Sequence, residues 1–166
     1  MDMDIYKDVF REINHEWAVI TAGTLNDFGC MTIAWASIGA LWVKTIVTLY
    51  VKPIRNTHDY LLKNDYFTLS AFSREYKDDL VTISSISDRN DSHKIEKTRL
   101  KPIGLGENAV TFLQAKKAIV CKKIYQQRLD VTAVPEDIKI KYYKNEEIHT
   151  MFIGEIENIM YFDNVL

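Results

Sequence analysis

Neither glycine-rich phosphate loop occurs in this chain. With no GxGxxG and no GxxxxGK[ST], it lacks the signatures of Rossmann and Walker-type nucleotide sites. HExxH is missing too, and His15, His58, His93 and His149 are scattered, so no zinc site is expected. No GxSxG elbow supports a hydrolase. The acidic pairs Asp78-Asp79 and Glu146-Glu147 are adjacent in sequence, and adjacent side chains do not converge as a general acid and base must. Cysteine is scarce: Cys30 and Cys121 are the only two. They form neither a CxxC pair nor a disulfide framework, which points to a reducing, cytoplasmic setting.

Long apolar runs and a dominant charge sign are also lacking. The stretch from Met31 to Val43 falls short of the ~20 residues that span a bilayer. A formal net charge of -2 gives no general attraction to nucleic acid or an anionic membrane. Lys116-Lys117 and Lys122-Lys123 are flanked by apolar residues and read as solvated faces. Met1-Asp2-Met3-Asp4 is acidic with no apolar core after it, so no signal peptide is expected.

What is present is an ordinary globular composition, 47% apolar and 27% charged over 166 residues. One domain covering 1–166 is expected, with no repeat or linker. Extended segments are expected at Trp17 to Ala22, at Met31 to Ser37 (closed by Gly39), and at Thr45 to Val51, where Pro53 stops the strand. Phe67 to Ala71 alternates as a half-buried strand does. Further strands are expected at Ala109 to Phe112, Ala118 to Tyr125 and Met151 to Met160, with a loop at Pro102, Gly104 and Gly106. Thr57 and Ser73 are candidate helix caps, Asp91 or Ser92 can start another helix, and Pro135-Glu136-Asp137 opens a short one. Strand runs interrupted by short helices imply a mainly β, α+β fold built on an antiparallel sheet or barrel.

Three constellations can carry chemistry. Lys52, Arg55 and Thr57 gather two cations and a hydroxyl where a strand ends. They suit a phosphate, or equally a solvated strand end. Met31, Thr32, Ile33, Ala34 and Trp35 form an extended wall for a planar ring, or simply a buried sheet segment. Ser84-Ser85-Ile86-Ser87-Asp88-Arg89 with Lys94 fits a second pocket edge, or a polar loop ahead of a capped helix.

In their order along the chain, these segments resemble the flavin reductase-like family. The resemblance rests on Trp17 through Gly23, Met31-Thr32-Ile33-Ala34-Trp35 and Pro53-Ile54-Arg55-Asn56-Thr57. It extends to Ser87 with Arg89 and Lys94, to Cys121-Lys122-Lys123-Ile124-Tyr125, and to Gly154-Glu155-Ile156. It implies a Greek-key antiparallel split barrel with short peripheral helices. It also implies noncovalent FMN beside the barrel and a homodimer whose interface completes the pocket. Met31 through Trp35 then line the flavin, while Arg55 and Thr57, helped by Lys52, hold its phosphate. Ser85, Ser87 and Lys94 approach from the next loop. Three positions depart from the family pattern: Gly29 where asparagine is usual, Lys52 where arginine is common, and Asp88 in place of glycine. The implied activity is electron transfer from NAD(P)H through FMN to free flavin or another acceptor, with no catalytic side chain named. The alternative is a non-catalytic FMN protein, an electron carrier or flavin store.

Overall fold

The computed structural model describes residues 12–85, 94–144 and 147–162. In chain order they form β1 (Ala18–Thr24), β2 (Asp27–Ile33), β3 (Ala36–Leu41), β4 (Lys44–Val51), α1 (Asn56–Lys63), β5 (Tyr66–Phe72), α2 (Lys77–Ser85), β6 (Pro102–Gly104), β7 (Val110–Phe112), β8 (Ala115–Arg128), α3 (Glu136–Tyr142) and β9 (Thr150–Tyr161). Seven strands make one antiparallel sheet in the order β2-β1-β5-β8-β9-β4-β3, and β6 with β7 form a separate ribbon. Hairpin β1–β2 joins β5 while hairpin β3–β4 crosses to β9. This is the Greek-key split barrel expected from the sequence.

Period-2 alternation sorts the strands' side chains onto two faces. Ile20, Val47, Leu49, Phe67, Ile119 and Phe152 fill the central core. Val19 and Cys30, neighbours of the residues that face inward, instead join Phe72, Leu80, Ile83 and Phe112 in a second cluster beneath α2. Each fully buried side chain of this size contributes about 1.5–3 kcal/mol. Gly154 is required by close packing, because a Cβ there would lie 2.5 Å from the Phe67 ring and 2.7 Å from the Cys121 Cβ. Burial, followed by the charge of Glu157, pushes the Cys121 thiol far above its ordinary range, so it serves as packing rather than as a nucleophile.

Helix α1 is seated directly on β2. A Cβ at Gly29 would meet the Tyr60 ring at 2.6 Å and the Thr57 Cα at 3.0 Å. The far end of α1 is held by Lys123 of β8, whose Nζ donates to the carbonyls of Leu61 (2.6 Å) and Leu62 (2.9 Å). A cation there meets the negative end of the helix dipole. Burial holds the Lys123 pKa below its usual range, with Asp65 acting against it.

Three sequence expectations are corrected. Met31 to Ser37 is not one strand: the chain bends at Ala34-Trp35 between β2 and β3, and Gly39 lies inside β3. Arg55, not Thr57, occupies the N-cap position of α1. Ser73 does hold the N-cap position of the 3-10 turn Arg74–Tyr76 that runs straight into α2, as expected, although its side chain makes no cap hydrogen bond. Pro102 and Gly104 bound a short strand, not a loop. The helix expected to begin at Asp91 or Ser92 falls outside the described residues, and Lys94–Lys97 is a single 3-10 turn. No described helix is long and apolar enough to cross a membrane.

Candidate functional site

The end of β4 builds one wall of a cleft. Pro53 stops the strand, and the chain turns at once into α1, with the Arg55 amide donating to the Lys52 carbonyl at 3.0 Å. That turn brings the Lys52 and Arg55 side chains to the same cleft. The bend after β2 is tied to β4 as well: the Tyr50 amide donates to the Trp35 carbonyl at 3.2 Å. Trp35, 43% exposed, therefore lies beside the cation pair and is not buried in the sheet.

The opposite wall comes from much later in the chain. Tyr142, the last residue of α3, meets the Trp35 indole edge-on at a centroid distance of 5.3 Å. His149, just ahead of β9, lies across the same indole at 4.8 Å with a 37° tilt. Its Nδ1 is 3.1 Å from the Tyr143 hydroxyl. Burial, then the positive charge of Lys52, lowers the His149 pKa from 6.5 to about 4. The ring is thus neutral at pH 7 and adds no charge to the site.

The completed cleft, about 330 Å³, is lined by Met31, Trp35, Tyr50, Lys52, Arg55, Lys141, Tyr142 and His149. It combines aromatic and thioether surface with three cations and no carboxylate among the described residues. Such a lining suits a planar ring that carries phosphate. The start of α1 adds to the fit, because its N-cap residue, Arg55, makes no side-chain cap. Its guanidinium is a planar donor fork suited to phosphate oxygens.

A second cleft of about 500 Å³ shares none of these residues and is lined in part by Phe28, Cys30, Asn56, Tyr60, Lys94 and Lys101. Strand alternation separates the two, with Met31 facing the first and Cys30 the second. Lys94 is buried, and its Nζ donates to the Cys30 carbonyl at 2.6 Å.

Of the sequence-derived site residues, the structure gathers Met31, Trp35, Lys52 and Arg55 around one cleft. Thr32 is half-buried on β2, Ile33 is in the core, and Ala34 is exposed at the bend. Thr57 is 1% exposed, with its backbone against Gly29. Ser85 ends α2, where its hydroxyl donates to the Thr82 carbonyl at 3.0 Å. Lys94 belongs to the second cleft, and Ser87 lies outside the described residues. Sequence reasoning missed Tyr50, Lys141, Tyr142 and His149. Tyr50 was within reach, since it stands two positions before Lys52 and shares its side of the strand.

No family model matches the chain, and no curated protein matches it by sequence. Solved structures do match. An FMN-binding domain of a flavin reductases-like enzyme from Shewanella baltica superposes with a TM-score of 0.66 at 14% identity, covering 93% of this chain and 73% of that one. A flavoredoxin from Desulfovibrio vulgaris gives 0.68 at 20%, covering 90% and 71%. An NADH:FAD oxidoreductase from Streptomyces globisporus, solved with NAD and FAD fragments, gives 0.64 at 16%, covering 94% and 80%. The chain therefore has the split-barrel fold of the flavin reductase-like proteins.

Proposed function

We propose that this protein binds FMN noncovalently in the Trp35 cleft and moves electrons from a small-molecule donor, NAD(P)H, to free flavin or another acceptor. The observation that carries this reading is the meeting of Lys52 and Arg55 with Met31 and Trp35 in one cleft. When bound, FMN supplies both hydride and single-electron chemistry. The chain's own residues bind and orient. Arg55 and Lys52 take the phosphate, Met31 and Trp35 back the ring, and the β2 backbone beside Met31 offers polar contacts to its edge. Thr57 supports the phosphate end from within α1, through the position of its backbone. Tyr142 and His149 shield the far side of Trp35 from water. His149, neutral at pH 7, leaves Lys52 and Arg55 to set the charge.

The proposed working unit is a homodimer in a reducing, cytoplasmic compartment. Exposed apolar side chains at Trp42 (60%), Tyr125 (37%) and Tyr161 (58%) support the first point. Buried Cys30 and Cys121, neither of them in a disulfide, support the second. The flavoredoxin neighbour supports a second reading, an FMN-dependent electron carrier that does not turn over NAD(P)H. The test is a visible spectrum of the protein mixed with FMN and passed through a desalting column, followed by NADH and NADPH oxidation assays. A yellow protein that oxidises either donor faster than free FMN does supports the reductase. A yellow protein with no such rate supports the carrier, and a colourless protein removes both.

A further inference from the structure

The cleft carries more positive charge than one phosphate needs. A phosphate monoester bears about -1.5 to -2 at pH 7, which Lys52 and Arg55 already match from the β4–α1 turn. Lys141 stands on the other wall, one residue before Tyr142, whose ring edge meets Trp35 at 5.3 Å. Its Nζ lies 5.1 Å from the centroid of the Tyr142 ring. Helix α3, which presents it, has no buried residue. Lys141 is exposed on it, and the half-buried Tyr142 carries the contact to Trp35. The lysine is thus not held by packing, and the ring-binding wall lies beside it.

Resting on the flavin reading above, we propose that Lys141 is a second anion subsite that receives a phosphate of the redox co-substrate. The co-substrate class is then a phosphorylated nucleotide, and neutral reductants or acceptors are disfavoured. The phosphate has two possible sources, the pyrophosphate of a nicotinamide dinucleotide donor or the phosphate of free FMN as acceptor. In either case Lys141 pairs with it above Trp35 while the resident flavin phosphate stays on Lys52 and Arg55. Lys141 thus selects substrates and touches no reacting atom.

The experiment uses FMN-loaded wild type, Lys141→Gln and Lys141→Arg, with FMN retention measured first. Donors are NADH, NADPH and the uncharged N-benzyl-1,4-dihydronicotinamide; acceptors are free FMN and the uncharged riboflavin. A charge-assisted phosphate contact predicts a KM about tenfold higher in Lys141→Gln, with kcat changing far less and Lys141→Arg recovering most of the loss. A rise for NADH and NADPH but not the benzyl donor assigns the subsite to the dinucleotide. A rise for FMN but not riboflavin assigns it to the acceptor. Equal shifts for charged and uncharged ligands, no shift at all, or no turnover with any donor overturn the proposal while leaving FMN binding intact. Failure of the wild type to retain FMN overturns the underlying flavin reading, and this proposal with it.

Discussion

The imidazole of His149 lies across the indole of Trp35, with 4.8 Å between ring centroids and a 37° tilt. This contact joins the start of β9 to the bend between β2 and β3. The folded His149 has a pKa of about 4 against an ordinary 6.5, owing to burial and then to Lys52. The unfolded chain therefore binds a proton near pH 6.5 that the folded chain refuses until about pH 4. His149's contribution is full above pH 6.5 and declines as the pH falls towards 4. With solvent screening at this ring, the expected loss is on the order of 2 kcal/mol. Urea unfolding at pH 7.5, 5.5 and 4.5 measures it, and His149→Gln should flatten the dependence across that window. An unchanged slope in the variant would contradict the assignment.

Gly29 tests the seating of α1. Introducing an asparagine there drives a Cβ towards the Tyr60 ring and the Thr57 backbone. Gly29→Asn should destabilise the protein by about 1–3 kcal/mol through overpacking. Tyr60→Ala combined with it should recover part of that cost in a double-mutant cycle. Additive losses would show that the two positions do not compete for space.

The β3–β4 turn offers a stabilising substitution. Trp42 and Val43 both have positive φ, 52° and 60°, in a two-residue hairpin loop closed by the Leu41–Lys44 pair. Asparagine and glycine favour that geometry, whereas a β-branched residue resists it. Val43 is fully exposed, so packing within the chain does not repay the strain. Val43→Gly, which keeps the edge-on contact of Trp42 with the Tyr125 ring at 6.5 Å, should raise stability of the isolated chain by about 1 kcal/mol. If this tip also contributes to the proposed dimer, light scattering should show the same variant dissociating at higher concentration than wild type. A drop in stability with no change in assembly would oppose both points.

Much of the barrel was legible because its strands carry their own alternation. Thr45 to Val51 and Phe67 to Ala71 each fell within one residue of β4 and β5. The bend at Ala34-Trp35 was not legible. No glycine or proline between Met31 and Ser37 marks it, and it is tied to β4 by the Tyr50 amide donating to the Trp35 carbonyl, a tertiary contact. The Lys52 and Arg55 half of the cleft could be read from one local turn. The Tyr142 and His149 half could not, because nothing near Trp35 in sequence signals a wall contributed more than ninety residues later. Thr57 was misread as a cap, since a hydroxyl near a helix start fits capping and burial equally well; here the residue is packed under β2.

The most direct test of the account is equilibrium binding of FMN and of riboflavin to wild type and Arg55→Ala, followed by quenching of flavin fluorescence. The account predicts FMN uptake at micromolar concentration by wild type and a loss of about tenfold or more in Arg55→Ala, with riboflavin affinity changed far less. No FMN uptake by wild type, or an equal loss for both flavins in the variant, would contradict it.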